Sequence, residues 1–339
     1  MRAQRILYRL ERTYCRRCNN TVQARAPGVL PKTLVGNQLI TQVVILHYRH
    51  GIPLGRICEQ TGLGLGTVVA ILHRMAALFG GLREKLIADY RQAPVRHADE
   101  TGWRTDGHSG YAWLFATPTM SLFLFRATRS ARVVREVLGE QALRGVLVVD
   151  RYAAYNRAPC ALQYCYAHLL RDVEDLGKEF PGHAEVRAFT ATLIPLLSQA
   201  MHLHSQPLSD EQYSEQAKRL QQQIVGVIQQ PAQHLGVRQI QDIFRDNAHR
   251  LYHWVENRNV PADNNRAERE LRPTVIARKV SFGSQSDAGA KTRGVLMSLV
   301  QTLAKRVPDV ESHFKSVLDQ LAEDPSQDPL ALLFPYDTS

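Results

Sequence analysis

The sequence predicts an α/β fold in which a mixed sheet carries a large helical insertion, with a small helical region in front. Three observations predict it. From Pro94 onward, VRHAD, YAWLFATPT and SLFLFRAT are rich in aromatic and branched residues, as strands are. The run GVLVVD holds only apolar residues and glycine before Asp150, as a strand covered on both faces does. Beyond Tyr155 the pattern turns helical for about a hundred residues.

The elements follow in order. Residues 1–36 form a basic arm around Cys15-x-x-Cys18, ending in APGVLPK. NQLITQVVILHYRH predicts an amphipathic helix with Leu39, Val43 and Leu46 on its apolar face, interrupted by Gly51 and Pro53. Leu54 to Gln60 forms a second helix, Gly62 and Gly64 a turn, and a third helix starts near Gly66 or Thr67. That pattern fits a helix-turn-helix, in which Arg56, Thr67 and Arg74 would meet DNA. It fits a helical hairpin used only for packing as well.

After the three strands, ARVVREVLGEQAL puts Val133, Val134, Val137 and Leu138 on one helical face, and GVLVVD follows. Strand, strand, strand, helix, strand is the opening of a ribonuclease-H-like core, with the fourth strand parallel to the first. Residues 160–256 show no clear strand, and the glutamine-rich stretch near 216–230 predicts a solvated helix face. Helix resumes from Asp263 to Leu271, with Arg272–Pro273 bending or ending it. A last helical stretch covers 290–323, and the tail from Asp324 is predicted loose. These signals divide the chain into the arm (1–36), the helix-turn-helix-like region (37–93), a catalytic domain (94–310) with its insertion at about 170–256, and a C-terminal helix end and tail (311–339).

Composition points to an anionic partner. The net charge is +10, and nucleic acid is the leading class for such an excess. Five cysteines in a chain of this length exclude a disulfide scaffold and favour a reducing compartment, the cytoplasm. No apolar run approaches the roughly 18–20 residues of a membrane span, so no membrane partner is expected.

The acidic residues carry the chemistry. Asp99, with Glu100 beside it as a rival, and Asp150 fall at the ends of adjacent strands, where open sheets place ligand groups. Either aspartate could also serve as a turn or cap residue. In DNNRAERELRP, Asp263 suits a helix cap, while Glu268 and Glu270 project on different faces. Arg266, Arg269 and Arg272 form a basic stripe every three residues. That stripe reads as a phosphate grip or as the cations of a salt-bridged surface helix. Trp103, Trp113, Tyr152 and Tyr155 read as packing residues or as groups that stack on DNA.

The segments DETGWR, VVDRYAAYN, CYAHLLRD and above all DNNRAERELRP with RKVSFGSQ resemble the IS66 family of insertion-sequence transposases, over roughly residues 10–310. The resemblance implies a transposase of the DDE type with a ribonuclease-H-like core. Its metal-binding triad falls on Asp99, Asp150 and Glu268, holding two Mg²⁺ (or Mn²⁺) ions. Asn264, Asn265 and Arg269 match neighbouring signature positions and, with Arg266, Arg272 and Lys279, make up the expected DNA-binding set of this segment. Cys165 and His168 match a CxxH element that follows the second aspartate; the pair reads as a structural or DNA-facing support of the active centre, as half of a zinc site, or as core and helix-cap residues. Proteins it resembles carry a further CxxC upstream, so Cys15 and Cys18 read as half a zinc site needing a histidine or Cys58.

The implied reaction is metal-assisted phosphoryl transfer. Water cleaves at an element's end, and the freed 3′-hydroxyl then attacks target DNA. The implied partners are double-stranded DNA ends and target, a second copy of the chain or more, and accessory transposition proteins. A structure-selective nuclease and a non-catalytic DNA-binding regulator are the competing readings.

Overall fold

The computed structural model describes residues 3–334. Two short strands, β1 (Arg12–Cys15) and β2 (Asn20–Gln23), pair antiparallel around the Cys15-x-x-Cys18 turn. Four helices follow: α1 (Asn37–Tyr48), α2 (Leu54–Thr61), α3 (Leu65–Leu78) and α4 (Leu82–Gln92). The buried face of α1 is centred on Ile40, Val43, Val44 and Tyr48; Leu39 and Leu46 lie half-buried at its edges. The cause is a neighbour on each side, since α1 packs against both α3 and α13 (Val310–Glu323). Between α2 and α3 the axis bends by 111°. Gly62 takes a φ of 73°, the left-handed conformation a glycine adopts without a Cβ clash.

The sheet has five strands: β3 (Val95–Thr105), β4 (His108–Ala116), β5 (Ser121–Arg126), β6 (Val146–Val149) and β7 (Ala161–Tyr164). Their spatial order is β5-β4-β3-β6-β7, the first three antiparallel and the last three parallel. Asp106 and Gly107, both at positive φ, make the two-residue turn between β3 and β4. Helix α5 (Ala131–Leu138) joins β5 to β6 and buries Val133, Val134, Val137 and Leu138, the four residues its pattern selects.

β7 corrects the expectation that residues 160–256 lack a strand. Its four residues are too few to show a period, and only pairing with β6 makes them a strand. Helices α6 (Tyr166–Glu179), α7 (Ala184–Leu203), α8 (Asp210–Gln229), α9 (Leu235–Asp246) and α10 (His253–Glu256) follow. α8 buries Tyr213, Ala217, Leu220, Ile224 and Val227 and turns most of its glutamines to solvent, as the sequence predicts.

Helix α11 (Asn265–Ser281) continues through Pro273, where the sequence predicts a bend or an end; it does not end there. Tertiary bonds at both ends offset the one backbone bond that proline removes. Asn264 donates to Ala98 O at 2.8 Å, and Arg278 donates to Thr101 Oγ1 at 3.1 Å and to Gly102 O. Beyond the helix, Ser284 N donates to Arg104 O at 2.9 Å and the Ser284 carbonyl receives the Asp106 N–H at the same distance. Gly283 is required there, because a Cβ would lie 2.2 Å from Arg104 O.

The predicted helix over 290–323 is two helices, α12 (Asp287–Arg306) and α13, broken at Val307–Pro308. Proline disfavours helical conformation in the residue before it. The tail is not loose up to Phe334: α14 (Pro329–Leu333) buries Leu333, and Phe334 is 5% exposed. Residues 335–339 of the predicted tail lie outside the described residues.

The helices of 37–93 share one continuous hydrophobic core with the sheet and with α12 and α13. Among the described residues, no single helix is long and apolar enough to cross a membrane. All five cysteines are free.

Candidate active site

Strand register brings the first two carboxylates together. β3 pairs with β6 in parallel, Val95 opposite Val146 and His97 opposite Val148. Two residues further, the same offset sets Asp99 beside Asp150. Asp99 is not at the end of its strand, as expected from sequence, but in the middle of β3. The strand continues because β4 pairs with it out to Thr105, while β6 stops at Val149. The sheet therefore opens beside Asp99, at the end of β6.

The rival at this position is accounted for by its partners. Glu100 has a side chain 1% exposed, ion-paired to Arg129 at 2.6 Å and bonded by the Tyr155 hydroxyl. Arg129 in turn lies 3.8 Å over the Tyr152 ring, and the Tyr152 hydroxyl donates to Arg129 O at 2.6 Å. Glu100 thus faces inward into a closed set of bonds. Asp99, half-buried, receives, among the described residues, only the Glu100 N–H at 2.8 Å. Burial, with the charges of Glu100, Asp150 and Glu268, pushes its carboxyl up to about 7.

The third carboxylate is sorted in the same way. Asp263, one residue before the N-cap of α11, receives the Asn265 N–H at 2.9 Å and so braces the helix start. Glu270 is ion-paired to Lys305 at 2.8 Å and receives the Ser121 hydroxyl at 2.7 Å. Glu268 Oε1 lies 3.9 Å from His168 Nδ1, and both of these buried atoms lack a hydrogen-bond partner. Asp150 accepts from Tyr152 N at 2.9 Å. Asp150 and Glu268 lie near enough to Asp99 for their charges to raise its carboxyl. That donor set fits a divalent cation, since three anions at one site need a counter-charge.

Asn264 is not a surface group. It is 1% exposed, donates to Ala98 O, accepts from His97 Nδ1 at 2.9 Å, and gives its backbone N–H to Cys165 Sγ at 3.1 Å. A direct DNA contact through its side chain, as expected from sequence, is therefore corrected: it ties α11 to β3 and to the start of α6. Cys165 is fully buried and His168 lies one turn on in α6, so both reach the site from the end of β7. Burial pushes the Cys165 thiol up to about 12 and the His97 imidazole down to about 4.

The basic residues divide between two surfaces. Arg269, Arg272 and Lys279 are exposed on α11, while Arg266 lies 3.9 Å from Glu270. Asn265, Arg266 and Arg269 also line a cleft of about 420 Å³ together with His202 and His204 from the end of α7. Arg56 and the first-turn Thr67 are exposed on the α2–α3 pair. Arg74 bonds the carbonyls of Pro31 and Lys32, so its guanidinium holds the N-terminal segment instead of facing outward. Cys15 and Cys18 sit on the exposed hairpin, where bonding to Cys18 holds the Cys15 thiol below its usual value. Among the described residues, neither belongs to a cluster of three metal-ligating side chains, and Cys58 does not join them.

Sequence reasoning missed Arg129 and Arg278, which hold β3 from opposite sides, and the histidines of α7. Their partners lie 29, 176 and about 60 residues away in the chain. Local pattern holds no signal of such pairings. Trp103 and Trp113 are 2% and 0% exposed and belong to the core, and Tyr155 is fully buried.

The model of the family described as Transposase IS66 family matches residues 32–292. An uncharacterised protein of Sinorhizobium fredii, y4qI, is 24% identical over 364 residues, an alignment that takes in 94% of this chain. The chain spans 66% of that protein's length.

Proposed function

The chain belongs to the IS66 family of transposases, and on that premise we propose that it is a DDE-type enzyme that cleaves and joins DNA strands at Asp99, Asp150 and Glu268. The observation that carries this reading is the convergence of three carboxylates, two from register-matched strands and one from α11, while Glu100 and Glu270 are held by internal partners. The sheet order supports a ribonuclease-H-like core, with α7–α10 as the insertion between β7 and α11.

Divalent cations held by the three carboxylates, Mg²⁺ or Mn²⁺, would supply electrostatic stabilisation of the attacking and leaving oxygens at the phosphorus. The chain's own residues do the rest. Glu100, Arg129 and Tyr155 fix the backbone of β3 beneath Asp99. Asn264 fixes the first turn of α11, and so the place of Glu268. Arg269 and Arg272, exposed on the same helix, grip phosphates; Lys279 extends that surface by two further turns. Arg56 and Thr67 on the bent α2–α3 pair give a second contact with duplex DNA. Bringing two DNA ends together calls for a second copy of the chain, and accessory transposition proteins fit the same reading. A reducing cytoplasm fits five free cysteines.

The test is to incubate the purified chain with labelled DNA carrying its element's ends in Mg²⁺, Mn²⁺ or EDTA. Metal-dependent nicks at the ends with joined products are expected. Nicks without joining indicate a structure-selective nuclease, and tight binding without cleavage, with companion proteins added, indicates a regulator.

The basic stripe gives a separate expectation. DNA binding by the Arg269→Ala/Arg272→Ala chain should weaken for all sequences alike. The slope of log affinity against log salt should fall by about 0.9 for each phosphate the variant no longer neutralises. An unchanged slope in a filter-binding or anisotropy titration removes the stripe from the DNA interface.

A further inference from the structure

We propose that Cys165, His168 and Glu268 form a mixed sulfur, nitrogen and oxygen site for a divalent transition-metal ion of the zinc class. One donor atom from each residue lies within 4.8 Å of the others, and among the described residues they are the cluster of three such groups. Donors around one tetrahedral zinc-class ion lie roughly 3.3–3.8 Å apart, given metal–ligand bonds of about 2.0–2.3 Å.

Two observations beyond the spacing support the site. Glu268 Oε1 and His168 Nδ1 are both buried atoms without a hydrogen-bond partner, a state that costs free energy unless something is shared between them. Cys165 Sγ already accepts the Asn264 N–H at 3.1 Å, and Cys165 is the N-cap residue of α6. These groups offset part of the upward push that burial gives the thiol, and a bound cation would supply the remaining stabilisation of the thiolate. Sulfur and imidazole select zinc-class ions over Mg²⁺, which prefers oxygen donors. Coordination forms the sulfur–metal bond and releases the thiol proton to solvent.

The site stands on these donor atoms alone. Its consequence rests on the proposed phosphoryl-transfer reading: a zinc-class ion would take Glu268 away from Asp99 and Asp150 and so compete with Mg²⁺ there.

Cobalt reports the site without DNA. The probe is Co²⁺, titrated into the full chain carrying Cys15→Ser and Cys18→Ser, which removes the exposed cysteine pair as a source of sulfur. The expected result is a sulfur-to-cobalt charge-transfer band that saturates at one ion per chain and is displaced by Zn²⁺. The band should vanish in a further Cys165→Ser variant, and His168→Asn should weaken cobalt affinity about tenfold or more. Absence of the band, or its survival in Cys165→Ser, overturns the proposal. Asp150→Asn separates the two readings. It should keep the cobalt band while losing Mg²⁺-dependent DNA cleavage. Cleavage by the parent chain with no cobalt band leaves the carboxylate reading standing and removes this one.

Discussion

Asp99→Asn should lower DNA cleavage by about 10³-fold, because the charge stabilisation such a carboxylate anchors is worth several kcal/mol and each ~1.4 kcal/mol is tenfold in rate. The same change should stabilise the protein in EDTA. The carboxyl of Asp99 is pushed up to about 7 by burial and by the charges of Glu100, Asp150 and Glu268. A group whose folded value lies above its unfolded one binds a proton on folding. Its contribution to stability is therefore fully present below about pH 4 and is lost as pH rises through about 7. Asparagine removes that loss, so the metal-free melting temperature at pH 8 should rise in the variant. Saturation with Mg²⁺ should reverse the order. At about 100 times its Kd, a ligand bound only by the folded state adds ~2.7 kcal/mol, and the variant should lose most of that gain. Thermal melts with and without Mg²⁺ at pH 5 and pH 8 check all of this. A metal-free melting temperature that falls in Asp99→Asn would show that Asp99 is a structural acid and not a cation ligand.

Arg129→Met should cost about 3 kcal/mol of folding stability, because it leaves the buried Glu100 carboxylate without its counter-charge. The Arg129 side chain is 40% exposed against 1% for that of Glu100. Most of the cost is thus the stranded acid, not the loss of the arginine itself. Restoring neutrality should rescue the variant: Arg129→Met with Glu100→Gln should recover much of the loss, since an amide can still accept from Tyr155. Urea melts of the two single variants and the double measure the coupling directly. If the single Arg129→Met variant costs under about 0.5 kcal/mol, the range of an ordinary surface substitution, Glu100 is not held as described. The pair also bears on activity, since a shifted β3 moves Asp99.

Much of the site was legible in the sequence. Asp150 stands out because five apolar or glycine residues precede it, and a buried parallel strand must end where its side chains turn polar. The four apolar residues of α5 and the solvated glutamines of α8 follow from helical period alone. β7 was missed because a four-residue strand carries no period of its own, and the continuation of α11 through Pro273 because its supports come from β3.

The sequence by itself determined the run of three strands, a helix and a fourth strand, the basic character of α11 and which short segments hold the acids. Local pattern left open which acid within each segment faces the site, and only the family resemblance favoured Asp99 and Glu268. Asp99 and Glu100 are neighbours, and Glu268 and Glu270 share one helix, so local pattern treats them alike. Only the tertiary structure supplies a physical difference between them, by bringing Arg129 and Tyr155 to Glu100 and Lys305 and Ser121 to Glu270. The physical reason is that a buried carboxylate must find a cation or hydrogen-bond donors. Where distant residues supply them the acid turns inward, and where they do not it is left beside the opening.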